Sequence, residues 1–206
     1  MRNAELDSST EDGGLPAVAR QRFIDALATL IGERGYAATS VVDIVRVAQT
    51  SKTTFYLHFT NKQECYLALL ASVTDDLVAD IRQAVDSDAH WHNQIRQIFT
   101  AYIAHLTARP AISLSWIRDL PALGAAARPI QRRNFAELAA LLEELSTNSG
   151  FQRAQLPPIT KPKAVMLLAG VRELAAQTAE DDLDIETVIS PATDIAISIL
   201  QADNPR

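Results

Sequence analysis

The chain has 206 residues, 48% of them hydrophobic, and a formal net charge of −6. That is enough apolar material for one or two packed domains and argues against global disorder. Cys65 is the single cysteine, so no disulfide can form within the chain, which suits a reducing cytoplasm. The longest apolar run, "AVMLLAGV", is far too short to span a membrane.

The start, "MRNAELDSSTEDGG", is polar and acidic, lacks the apolar stretch of a secretory signal, and reads as a loose tail over residues 1–15. From Pro16 the pattern is helical: Ala19, Phe23, Ala26, Leu27, Leu30 and Ile31 recur at three- and four-residue steps and form one apolar stripe. Gly35 in "GERGYAATS" is the expected C-cap. Thr39 or Ser40 then caps a short helix, "VVDIVRVA", with Asp43 near its N-terminus and Ile44 and Val47 facing inward.

The next segment, "SKTTFYLHF", alternates Phe55, Leu57 and Phe59 with polar neighbours and is rich in strand-favouring residues. Its neighbours on both sides are helical, however. Phe55 and Phe59 stand four apart, the spacing of one helix face, and Ser51 is a good cap. Residues 40–59 therefore read as two short helices around a tight turn, the second held by packing rather than by propensity. Such an arrangement leaves Lys52, Thr53, Thr54, Tyr56 and His58 at the outer face and ends. Lysine can donate to guanine O6 and N7, threonine methyls can touch thymine methyls, and Tyr56 and His58 can donate to phosphate. Lys62 stands at the start of the next helix, where backbone N–H groups also favour phosphate. Residues 16–62 carry six basic groups against three acids, whereas residues 63–206 carry twelve against eighteen, so one end alone has the sign that DNA requires.

The helix opening at Lys62 has its stripe at Tyr66, Leu69, Leu70, Val73, Leu77 and Ile81. Further helices are expected at about 91–108, 111–119, 124–147, 161–179 and 191–202, the last with Ser190 as cap and Pro191 at its first position. No strand pair, glycine-rich phosphate loop or internal repeat appears, and the expected fold class is all-α with about nine helices.

"ERGYAATSVVDIVRVAQTSKTTFYLHFTNKQECYLALL" resembles the N-terminal DNA-binding domain of TetR/AcrR-type transcriptional regulators. The resemblance is carried over about 45 residues by Gly35-Tyr36, the Thr39/Ser40 cap, Asp43-Ile44, Ala48, Ser51-Lys52, Thr54, Tyr56, His58-Phe59, and Lys62 with Glu64. It implies a helix-turn-helix domain at 16–62 and an effector-binding, dimerising helical body at 63–206. It also implies a double-stranded DNA operator contacted through Thr39, Ser40, Val42, Ser51, Lys52, Thr53, Thr54, Tyr56, His58 and Lys62. Four positions depart from the family pattern. The turn reads Ala48-Gln49-Thr50-Ser51 where Ala-Gly-Val-Ser is usual, Thr53 replaces a small residue, and Val42 stands where a polar or basic side chain is frequent. A left-handed Gln49 would cost on the order of 1 kcal/mol, and Val42 can offer a thymine methyl contact at most.

Phe99, Tyr102, Ile103, Leu106, Trp116, Ile117, Leu120 and Phe135, with Arg96 and Arg118, are the expected lining of a pocket for a small, mainly apolar effector. Ala164, Leu168, Val171 and Ala175 on one helix, and Ala192, Ile195 and Ile199 on the last, are the expected homodimer face. His90 and His92 in "HWH" cannot share a helix face, so no metal site is expected, and no cofactor or enzymatic signature is present. The expected function is a ligand-responsive, one-component cytoplasmic repressor. The alternative is a helical ligand-binding or adaptor protein that has lost operator binding, for which Gln49 and Val42 are the support.

Overall fold

The computed structural model describes residues 14–202. The expected tail lies outside these residues, except that Gly14 and Leu15 open the first helix, α1, Gly14–Arg34. Among the described residues the fold is all-helical, with α2 Val41–Val47, α3 Lys52–His58, α4 Lys62–Ala84, α5 Trp91–Ala108, α6 Pro110–Ala122, α7 Arg128–Leu145, α8 Ser149–Arg153, α9 Lys161–Glu180 and α10 Ile189–Gln201. Two compact units divide between Leu69 and Leu70, inside α4.

Unit 1 is built on an aromatic core. Phe23, Leu27 and Leu30 of α1, Ile44 of α2, and Phe55 and Phe59 of the α3 end are all buried. The Phe23 and Phe55 rings meet edge to face at 5.2 Å, a favourable quadrupolar geometry. This packing keeps a seven-residue helix of β-favouring residues helical, since so short a segment is unstable alone. Gly35 ends α1 at a φ of 79°, the left-handed conformation that glycine adopts without steric cost. In α2 the buried pair is Ile44 and Val45, while Val47, expected to face inward, is exposed. Ala48, one turn beyond Ile44, packs inward in its place.

In unit 2 the core lies among α5, α7, α9 and α10, with Ile98, Phe99, Tyr102, Leu138, Leu142, Leu168, Val171 and Ala196 buried. Ion pairs tie its elements at the surface, Arg82 of α4 to Glu144 of α7 and Arg133 of α7 to Asp75 of α4, and a 2.7 Å hydrogen bond joins His105 of α5 to Asp80 of α4. Three expectations are corrected. The segment expected to open a helix at 124 begins as a 3-10 turn, Gly124–Ala127, with Gly124 at φ 62°. The break at "TNSG" leads into α8, docked where a Cβ on Gly150 would lie 2.2 Å from the Ala89 carbonyl oxygen. Ser190 is not a cap. A 3-10 turn, Ile185–Val188, started by the Asp184 side chain accepting from Glu186 N–H, runs directly into α10 and places Ser190 and Pro191 inside its first turn.

Candidate nucleic-acid interface

The two helices after α1 are defined by their caps. Ser40 closes a capping box: its Oγ accepts from the Asp43 N–H at 3.3 Å, and the Asp43 carboxylate accepts from the Ser40 N–H at 3.0 Å. These Ser40 hydrogen bonds, first the side-chain and then the backbone one, hold the Asp43 carboxyl below its ordinary value, with Arg34 and Arg46 adding to the effect. Ser51 repeats the device on α3, accepting from the Thr54 N–H at 3.0 Å. Between the helices Gln49 has φ 53°, the left-handed conformation that its place in the turn demands. The turn still closes: the Thr50 N–H donates to the Val45 carbonyl at 2.9 Å.

The outer face of α3 presents Lys52, Thr53 and Tyr56, with Tyr56 55% exposed. Ser40, Val42 and Ser51 are exposed beside it, so the outer surface combines one cation with hydroxyl and methyl groups, the chemistry that reads base edges and phosphates. Thr54 is half-buried and its hydroxyl lies 2.9 Å from that of Ser51. His58 is half-buried, its ring 6.0 Å from that of Phe23. Leu57, absent from the expected set, is 78% exposed. It lies one helical turn beyond Thr53 and next to Tyr56, a spacing from which its outward position was legible.

Two expected contacts are corrected. Thr39 is buried, and its hydroxyl donates to the Gly35 carbonyl at 2.9 Å. The Lys62 ammonium lies 4.1 Å over the Tyr36 ring and donates to the carbonyls of Tyr36 at 2.8 Å and Thr39 at 2.7 Å. Those carbonyls follow the end of α1 and precede α2, so Lys62 pins the loop that orients the motif instead of projecting toward a phosphate. At the same end of α4, Glu64 accepts from the Thr60 N–H at 2.6 Å and hydroxyl at 2.7 Å, and these bonds lower its pKa. Cys65 is buried, which pushes its thiol up to about 12 and makes it inert packing.

The residues expected to line one effector pocket are dispersed in unit 2. Phe99 and Tyr102 border a tight apolar slot of about 10 Å³, and Leu106 and Ile117 a wider cleft of about 290 Å³ between α5, α6 and α9. Ile103, Trp116 and Leu120 are plain core. Phe135 is half-buried beneath Arg172. Arg96 is exposed on another face of α5. Arg118 is engaged by Glu173 and Glu180 of α9, whose hydrogen bonds raise its pKa.

The expected dimer face is also corrected. Ala164, Leu168, Val171, Ala175 and Ala192 turn into the core of unit 2. Ile195, 54% exposed, and the half-buried Ile199 remain outside, and the outward apolar residues of α9 are Met166, 69% exposed, and Leu174. An apolar stripe marks a buried face but does not say what buries it, and here the partners belong to the same chain.

The capped α2–turn–α3 arrangement is a helix-turn-helix within a fold that is all-helical among the described residues. Residues 23–69 match the family of bacterial regulatory proteins, tetR family. The chain is 32% identical over 101 residues, 49% of its own length, to the HTH-type transcriptional activator FasR of Mycolicibacterium smegmatis. It is 34% identical over 82 residues, 40% of its length, to the HTH-type transcriptional repressor KstR2 of Mycobacterium tuberculosis. The matches span 42% and 41% of those relatives, less than half of each. A crystal structure of the transcriptional regulator FadR from Bacillus subtilis in complex with stearoyl-CoA superposes with a TM-score of 0.72, covering 89% of this chain and 99% of that one at 15% identity, a likeness of fold.

Proposed function

We propose that the protein is a ligand-responsive transcriptional repressor that binds a palindromic double-stranded operator as a homodimer in the cytoplasm. The observation that carries this is the capped α2–turn–α3 motif with Lys52, Thr53 and Tyr56 on its outer face. The turn closes with Gln49 in the left-handed conformation, which supports an intact motif, while Val42 remains the feature that favours a protein without operator binding. Among the relatives KstR2 is a repressor, which supports that sign of regulation, whereas FasR is an activator.

Homodimerisation is read from Met166, Leu174 and Ile195, large apolar side chains exposed on α9 and α10. A two-fold pair presents two recognition helices to successive major grooves about 34 Å apart, which requires a palindromic site. Ligand response is read from the apolar cleft of unit 2, and the stearoyl-CoA bound to the FadR of like fold supports a mainly apolar effector. α4 runs from the motif into unit 2, so a shift of this helix on effector binding changes the setting of α3. Effector and operator then weaken each other by the same coupling energy, about 1–3 kcal/mol.

The test is a mobility shift with duplex DNA from upstream of the protein's own gene, against a random duplex of equal length. Retardation at lower protein concentration for the upstream duplex, with a footprint symmetric about a two-fold, is expected. Equal retardation of both duplexes overturns the reading.

A further inference from the structure

On α9, Ala175, Ala176 and Ala179 lie on one side of the helix and face α5 and α6. Methyl groups leave room that longer side chains would fill, and a cleft of about 290 Å³ stands there, walled by Leu106 of α5 and by Leu114 and Ile117 of α6. Its size is at the small end of small-molecule sites, roughly 300–1,000 Å³. Arg118, next to Ile117, donates to Glu173 at 2.9 Å and to Glu180 at 2.7 Å, two turns apart on α9, and so ties α6 to α9. The segment after α9 completes the lining with Asp182, Leu183 and Ile185. Asp182 has φ 55°, and the Leu183 N–H donates to the Thr178 carbonyl at 2.9 Å, so the chain turns back at the end of the helix.

The polar groups of this lining separate into used and unused. The Ser113 hydroxyl donates to the Leu106 and Arg109 carbonyls, both at 3.1 Å, and the Thr107 hydroxyl to those of Ile103 at 3.1 Å and Ala104 at 3.0 Å. Asp182 is the charged side chain of the lining and makes no ion pair among the described residues. The cations nearest in sequence to the lining are engaged or turned elsewhere. Arg118 is held by its two glutamates, Arg172, one turn before Ala176, lies over the Phe135 ring, and Arg109 borders a different groove with Asp76 and Asp80. From Glu173 to Ala202 the sequence holds seven acids and no lysine or arginine.

We propose that this cleft between α5, α6 and α9 binds a small aliphatic molecule that carries an ammonium group, its hydrocarbon on Leu106, Leu114 and Ile117 and its charge at Asp182. The proposal deepens the effector reading above, on which its regulatory role rests. Burial of the hydrocarbon supplies the affinity, in proportion to the apolar area covered. The head group is sorted by charge. An ammonium meets the Asp182 carboxylate and the acids that follow it in Asp184 and Glu186. A neutral alcohol gains the apolar contact without that attraction. A carboxylate or phosphate is repelled by the same acids and finds no cation in the lining to receive it. Asp182 is exposed, so the attraction is screened by water and salt, and it discriminates between head groups by a modest factor.

The test uses the full chain with octylamine, 1-octanol and octanoate, one chain length with three head groups, followed by titration calorimetry and thermal melting. Saturable octylamine binding at millimolar concentration or below is expected, about threefold tighter than octanol and roughly tenfold tighter than octanoate. Asp182→Asn removes the charge and keeps a residue that accepts the left-handed conformation. It is expected to bring octylamine to the affinity of octanol, with octanol binding and the melting temperature unchanged. Ala176→Leu fills the cleft and is expected to abolish binding of both; if that variant misfolds, Asp182→Asn decides. No saturable octylamine binding, octanoate binding as tight as octylamine, or the same head-group preference in Asp182→Asn overturns the proposal. So does a folded Ala176→Leu that still binds octylamine but sediments more slowly, which shows a second copy of the chain seated in the cleft. DNA affinity is measured in parallel. Octylamine that binds through Asp182 without changing DNA affinity supports the site and overturns its effector role. A chain that prefers no DNA sequence overturns the regulator reading and leaves the site standing on its own binding data.

Discussion

The two units treat their polar side chains differently. In unit 1 the polar groups at the loops close the protein's own backbone: Ser40 with Asp43, Ser51 with Thr54, Glu64 with Thr60, and Lys62 with the Tyr36 and Thr39 carbonyls. Among the described residues one buried side-chain atom there, Thr50 Oγ1, lacks a partner, against four at Asn134, Glu137 and Arg172 in unit 2. Both units carry surface ion pairs, Arg34 and Arg46 with Asp43 in unit 1 and Arg82 with Glu144 in unit 2, so the difference lies in the orphaned atoms. A fully satisfied polar network rigidifies, whereas an unsatisfied one rewards whatever completes it.

Charge insertion into the corrected α9 face breaks the comparison most strongly. Leu168→Arg buries an unpaired cation in the core of unit 2 and is expected to unfold that unit, a cost of several kcal/mol. Ile195→Arg, on the exposed side of α10, is expected to leave the fold intact and to lower the sedimentation coefficient toward that of a monomer. Equal loss of folding in both variants, read by circular dichroism, would return Ile195 to the core.

In unit 1, Phe55→Ala removes the ring packed on Phe23 and is expected to cost about 3–5 kcal/mol. Amide hydrogen exchange should then speed up through α1, α2 and α3 and remain slow in α7 and α9. Uniform acceleration along the chain would show that the two units unfold as one.

Two lysines sharpen the distinction between frame and surface. Lys62→Ala takes one donor from the Thr39 carbonyl and one from that of Tyr36, which keeps the Thr39 N–H at 3.2 Å, and is expected to destabilise unit 1 by about 1–3 kcal/mol, with DNA affinity falling as a consequence. Lys52→Ala is expected to leave the melting temperature unchanged and to relax base preference at one position of each half-site, measured by binding-site selection. If Lys62→Ala lowers DNA affinity and its salt dependence with no change in melting, Lys62 is a phosphate contact after all.

The smallest expected effect is a pH dependence. The Asp43 carboxyl is held below its ordinary value of 3.8 by Ser40, so its contribution is complete above that value and is lost as pH falls through the lower, folded-state pKa. Ser40→Ala is expected to cost about 1 kcal/mol at neutral pH. The gap between the two proteins should narrow below pH 3.8, read from melting curves across the acid range. A gap that stays constant there would show that the carboxylate plays no part in the cap.

Much of unit 1 was legible because its determinants are neighbours in sequence. Ser40 to Asp43 and Ser51 to Thr54 are three residues apart, Phe55 to Phe59 are four apart, and the left-handed Gln49 follows from its place in a turn that glycine usually fills. The alternation of Phe55, Leu57 and Phe59 pointed toward a strand, and packing on Phe23 overrode it. Less of the candidate site could be read. The Leu57 position was available from helical spacing, but the burial of Thr39 depends on a loop geometry with no periodic signal.

By itself, the sequence determined the all-helical class, the placement of the helix-turn-helix, its caps, and the apolar stripe of each long helix. Each of these rests on interactions between residues within about one turn of one another. Tertiary structure alone decided that Lys62 reaches carbonyls 26 and 23 residues back, and that Arg118 meets Glu180, 62 residues on. It decided too that the stripe of Ala164, Leu168, Val171 and Ala175 faces its own core, and that Asn134 is buried with nothing to pair with. The physical reason is that periodicity fixes which side chains share a face, whereas their partners are set by how helices distant in sequence come together.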